Sequence, residues 1–168
     1  MAARSARLLF SALVAALVIG GASQPVVSQQ AIPGGPGDLV VGTWRLIPAK
    51  SRYMPGPGPK SETRTYERSP EGLKATVSRV YANGMTESIV YLANMDSVNP
   101  VMGASEYDTV KLRRITDYES EAVLAHADVV FGIARRVISR DGKTMTISFR
   151  RESQVPVYNV AVYERQPQ

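Results

Sequence analysis

Three pairs of adjacent arginines carry the most chemical promise in this chain: Arg113-Arg114, Arg135-Arg136 and Arg150-Arg151. Each pair lies where apolar and polar residues alternate, and adjacent side chains of a strand point to opposite faces. One guanidinium of each pair is therefore expected on each face. With the apolar face turned inward, Val129, Phe131, Ile133 and Arg135 share one wall. Met145, Ile147, Phe149 and Arg151 share the next, and Val110, Leu112 and Arg114 repeat the pattern earlier. Such a surface is an apolar wall topped by positive charge. A buried guanidinium is costly unless paired, so an inward one calls for a carboxylate or an anionic ligand. The competing reading puts these arginines near strand ends, with stems over apolar surface and charged heads in water.

Other reactive groups are scarce. The chain has no cysteine, which excludes thiol catalysis, a disulfide framework and cysteine-ligated metal. The single His126 excludes any two-histidine site, and Ala127-Asp128 beside it reads as a turn, so it is expected exposed. Ser105, Glu106 and Asp108 form a polar loop patch with no histidine close in sequence. No nucleophile elbow, phosphate-cradling loop or metal-spaced cluster is present. No catalytic residue, metal or cofactor is assigned. A cofactor-free isomerase or cyclase stays open as an alternative, with Glu87, Tyr91 and Tyr81 as its candidates or as plain surface-strand residues.

The elements that must position these residues are strands. Leu73, Ala75 and Val77 alternate with Lys74, Thr76 and Ser78, and Met145, Ile147 and Phe149 with Thr144, Thr146 and Ser148. That is the half-buried strand pattern. Turn signals separate the runs, with Asn83-Gly84 and Asp141-Gly142 the strongest for hairpins. Strands are expected near 40–47, 61–68, 73–82, 86–93, 98–102, 107–115, 119–125, 128–139, 143–152 and 157–165. Short antiparallel strands in this order suit a sandwich or a closed up-and-down β-barrel. Closure removes exposed edges and is the expectation: an all-β antiparallel barrel of about 8–10 strands.

The first 22 residues read as an export signal. Arg4 and Arg7 precede an apolar run from Leu8 to Ile19, and Gly20-Gly21-Ala22 offers a peptidase site. Twelve residues are too few for a span of about 20, although an uncleaved anchor is the alternative. Residues 23–38 form a Pro/Gly-rich leader expected to be flexible, and the barrel domain is expected over 39–168. Loss of Arg4 and Arg7 lowers the net charge from +5 to +3, without the basic runs of a nucleic-acid binder. The expected place is periplasmic or secreted, with no stable membrane span once the signal is removed.

Val41-Gly42-Thr43-Trp44-Arg45-Leu46 resembles the Gly-x-Trp opening strand of the calycins, the lipocalins and fatty-acid-binding proteins. Val160-Ala161-Val162-Tyr163-Glu164-Arg165 is similar to the closing strand of fatty-acid-binding proteins. The resemblance implies a calycin-like barrel, with Tyr163 turned inward to the ligand. Apolar alternation in this strand instead turns Val160 and Val162 inward. Two departures bear on the site: Pro48 to Lys60, expected as an irregular loop, replaces the two-helix lid, and Ala161 stands where many members carry the arginine of Arg-x-Tyr. Trp44 is expected to plug the closed end under a cationic partner, Arg165 or Arg151.

The candidate ligand-binding set is thus Arg114, Phe131, Ile133, Arg135, Ile147, Phe149, Arg151 and Tyr163, with Trp44 structural. The expected function is binding of a small hydrophobic or amphipathic ligand. An interaction module for another exported protein is the alternative.

Overall fold

The computed structural model describes residues 38–167 apart from Ala104, Glu152, Gln154 and Val155. The expected signal peptide over 1–22 lies outside the described residues, as does the leader over 23–38 except Asp38. The described chain forms β1 (Gly42–Leu46), β2 (Arg52–Met54), β3 (Ser61–Ser69), β4 (Gly72–Val80), β5 (Thr86–Leu92) and β6 (Val98–Gly103). It continues through β7 (Thr109–Thr116), β8 (Glu119–His126), β9 (Val129–Ile138), β10 (Thr144–Arg151) and β11 (Val157–Arg165). From β3 to β11 each strand pairs with the next, and β1 closes the circle by pairing with both β3 and β11. The fold is a closed antiparallel ten-strand β-barrel with β2 as one extra strand. Among the described residues no helix is long and apolar enough to cross a membrane.

One expectation changes here. Pro48 to Lys60 is not wholly irregular: a 3-10 turn at Pro48–Lys50 leads into β2, which pairs with β11 through Met54↔Tyr158 and Arg52↔Val160. The turn offsets the chain so that one long β11 serves both β1 and β2. Ser51 stitches the offset, its hydroxyl accepting from the Val162 N–H at 3.0 Å and donating to the Ile47 carbonyl at 2.8 Å. Three residues of alternating exposure beside prolines give too short a periodic signal to read from sequence.

The meander puts the β2–β3, β4–β5, β6–β7, β8–β9 and β10–β11 loops at one end of the barrel. The other end is closed by core. Trp44 is fully buried, its indole N–H donates to the Val40 carbonyl at 2.8 Å, and the Arg165 guanidinium lies 4.2 Å from its ring centre. Arg165 is held there by backbone carbonyls: Nε donates to Gly142 at 2.6 Å, Nη1 to Val41 at 2.5 Å, and Nη2 to Leu39. Of the two candidate partners for Trp44, Arg165 takes the place, and Arg151 lies over Phe131 instead.

Ala127 and Asp128 both take positive φ, 46° and 65°, in the β8–β9 hairpin turn. His126 beside it is exposed, with Nδ1 3.5 Å from Asp108 Oδ2.

Candidate ligand-binding site

A cavity of about 300 Å³ fills the barrel toward the end that carries the even-to-odd strand loops. Its polar groups arise from cross-strand registration. Glu62 on β3 faces Arg79 on β4, which faces Glu87 on β5, an inward row alternating in sign. One step deeper on β3 stands Arg64, and two steps deeper Tyr66. The Glu62 carboxylate is only 2% exposed. It accepts from Arg64 Nε at 2.5 Å, from Arg79 Nε at 2.6 Å and from the Tyr163 hydroxyl at 2.7 Å. Arg79 Nη1 also donates to Glu87 at 2.5 Å, and Glu87 accepts from the Tyr81 hydroxyl at 2.6 Å.

These contacts set the ionisation of the interior. Burial would raise the Glu62 carboxyl, but the Arg64 and Arg79 guanidiniums outweigh it and hold the group down at about 2. Burial also opposes ionisation of Tyr66, yet Arg136 and Arg64 bring its phenol below the ordinary value. Burial and then the Glu62 charge push Tyr53 up to about 12, so its hydroxyl keeps its proton.

The charges do not cancel. Arg64, Arg79, Arg136 and Arg151 all line the cavity. Glu62 and Glu87 answer the first two. Arg136 lies over the Tyr66 ring at 5.3 Å and has no carboxylate within ion-pairing distance among the described residues. Arg151 meets only Glu106, at 3.9 Å, and that carboxylate is 78% exposed. Arg151 Nε and the Tyr53 hydroxyl are buried with no hydrogen-bond partner among the described residues.

Of the residues named from sequence, the structure brings Phe131, Ile147, Phe149, Arg151 and Tyr163 together around this cavity. Ile133 and Arg135 are not part of its lining. Arg135 is 58% exposed and pairs outside the barrel with Glu119. The cause is a bulge: Leu124 faces Gly132 while Ala125 faces Val130, leaving Phe131 as the additional residue. Beyond it the parity reverses, so Ala134 and Arg136 face in. Gly132 permits the bulge to pack, since a Cβ there would stand 2.5 Å from the Phe149 ring. Arg114 follows Val110 and Leu112 in phase but lies at the closed end, in a small cleft with Leu39 and Val40. In β11, Asn159, Ala161 and Tyr163 face the cavity, and Val160 and Val162 do not.

Sequence reasoning missed Glu62, Arg64, Tyr66, Arg79, Arg136 and Tyr53. A signal existed for Arg136, because an isolated Gly132 inside a strand pattern marks a bulge. β3 gave none: Thr63, Thr65 and Glu67 alternate with equally polar inward residues. Comparison with known proteins gives no match to this chain among family models, curated proteins or solved structures.

Proposed function

We propose that this is an exported, lipocalin-like binding protein that holds one small amphipathic ligand, anionic at one end, inside its barrel. The cationic surplus of the cavity carries the reading: Arg151 meets only the exposed Glu106 at 3.9 Å and Arg136 only the Tyr66 phenol, and half-buried guanidiniums so weakly answered favour an anionic ligand. Its volume falls at the lower edge of ligand sites, about 300–1,000 Å³. The Gly42-x-Trp44 opening strand and the inward Tyr163 support calycin kinship. The charged and apolar segment from Arg4 to Ile19 supports export.

A second reading, an interaction module for another exported protein, draws support from Met54, Met85, Met102, Val129 and Tyr158, all exposed near the loops of the open end. A barrel with a cavity of this size favours the ligand reading over it. Catalysis gains less, since the buried Glu62 carboxyl is held low, away from the pKa of a general acid or base at neutral pH.

The test is fluorescence titration with an anilinonaphthalene sulfonate dye. Ala134→Phe places a ring in the cavity and should weaken binding by about tenfold or more, a methylene-scale clash already being felt in packed sites. Arg135→Ala alters only the outer wall and should bind as the wild type does. Equal affinity in Ala134→Phe, or no saturable binding by the wild type, defeats the proposal.

A further inference from the structure

The kind of anion is constrained by which charges already have partners. Glu62 sits between Arg64 and Arg79 and takes the Tyr163 hydroxyl as well. That cluster is a carboxylate seated in its own site, so a ligand carboxylate has no place there. The wall across β11 differs: Tyr53 still feels the Glu62 charge, while Arg151 has only the exposed Glu106 at 3.9 Å. Arg151 Nε–H and the Tyr53 O–H are buried donors without acceptors among the described residues. Asn159 pairs with Tyr53, and Val157 with Arg151, so β11 links the two donors along one stretch of the lining. Buried donors are almost always satisfied, so water or a ligand in the cavity supplies acceptors at this point.

The surface beside those donors is aromatic. Phe131 and Phe149 stack at 6.1 Å between centroids, Tyr107 lies 5.9 Å from Phe131, and Arg151 covers Phe131 at 4.5 Å. Deeper in the barrel the lining mixes Leu112 and Ala122 with the polar groups of Tyr66, Tyr91 and Arg136. A long alkyl chain would set methylenes against those polar groups and leave them desolvated. A flat ring can stack on the phenylalanines and offer its face to a guanidinium.

We propose that the ligand is a compact aromatic carboxylate, its carboxylate held by Arg151 Nε–H and the Tyr53 hydroxyl and its ring against Phe131 and Phe149. The proposal rests on the ligand-binding reading above. The Pro55–Pro59 loop fixes the second donor: a Cβ at Gly58 would stand 2.1 Å from the Tyr53 ring, so only a glycine lets the loop lie this close. A carboxylate that reached both donors would gain charge-assisted hydrogen bonds from each.

Calorimetric titration of the mature chain with naphthoate, its neutral analogue naphthamide and the alkyl acid decanoate tests this. Naphthoate should bind about tenfold tighter than naphthamide, the scale of one charge-assisted pair, and tighter than decanoate. Arg151→Gln should remove that preference and leave naphthamide binding within about twofold, because only the charge-assisted bond is lost. Tyr53→Phe, which keeps the ring on Gly58, should lower naphthoate affinity several-fold and provides the same readout independently. Equal binding of naphthoate and naphthamide, tighter binding of decanoate, or unchanged preference in both variants overturns the aromatic-carboxylate proposal while leaving the barrel a binding protein. Absence of binding by all three compounds overturns both.

Discussion

Glu62 joins two guanidiniums and a phenol at hydrogen-bond distance, and its carboxylate is what makes Arg64 and Arg79 tolerable inside the barrel. Removing one partner of a buried ion pair leaves the other charge uncompensated, which costs about 3–5 kcal/mol. Glu62→Gln should therefore lower stability by that order, read as a shift of the urea midpoint. The same carboxyl titrates at about 2 in the fold against an ordinary 4.5. Its stabilising contribution is present above the ordinary value and is lost as pH falls toward the folded one. Wild-type stability should decline on acidification between about 4.5 and about 2, and Glu62→Gln should lack that share of the decline. Tyr163 reached the interior by the resemblance of β11 to a family strand, against its own apolar alternation. Glu62 and Arg64 were illegible because β3 offers polar residues on both faces, and the rule that apolar residues point inward has nothing to act on.

At the scale of elements, period two and turn chemistry were enough to find the ten barrel strands within a few residues of their ends. They failed where the period breaks. The bulge at Phe131 exchanges Arg135 for Arg136 in the lining, because one extra residue reverses every later side chain of the strand. The 3-10 turn at Pro48–Lys50 hides β2, three residues long, inside what reads as a loop. By contrast β1 was legible at its key residue. Trp44 is fully buried, hydrogen-bonded to Val40 and covered by Arg165, with no place in the cavity lining. Trp44→Ala should cost about 3–5 kcal/mol, the range for a buried large aromatic. Chemical denaturation checks this, and an unchanged midpoint would refute the plug at the closed end.

For the whole molecule, the two ends of the barrel divide the work. Trp44 and Arg165 close one end around carbonyls of Leu39, Val41 and Gly142, and the cavity with its unpaired donors opens toward the other. On the proposed reading the open end admits the ligand and the surplus of guanidiniums favours an anionic one. Native mass spectrometry of the protein purified from its own host tests this most directly. The proposed account predicts a chain beginning near Ser23 that carries one small acidic molecule, released on unfolding and depleted in Arg151→Gln. A bare chain under conditions that preserve the fold, or a bound molecule retained equally by Arg151→Gln, would contradict it.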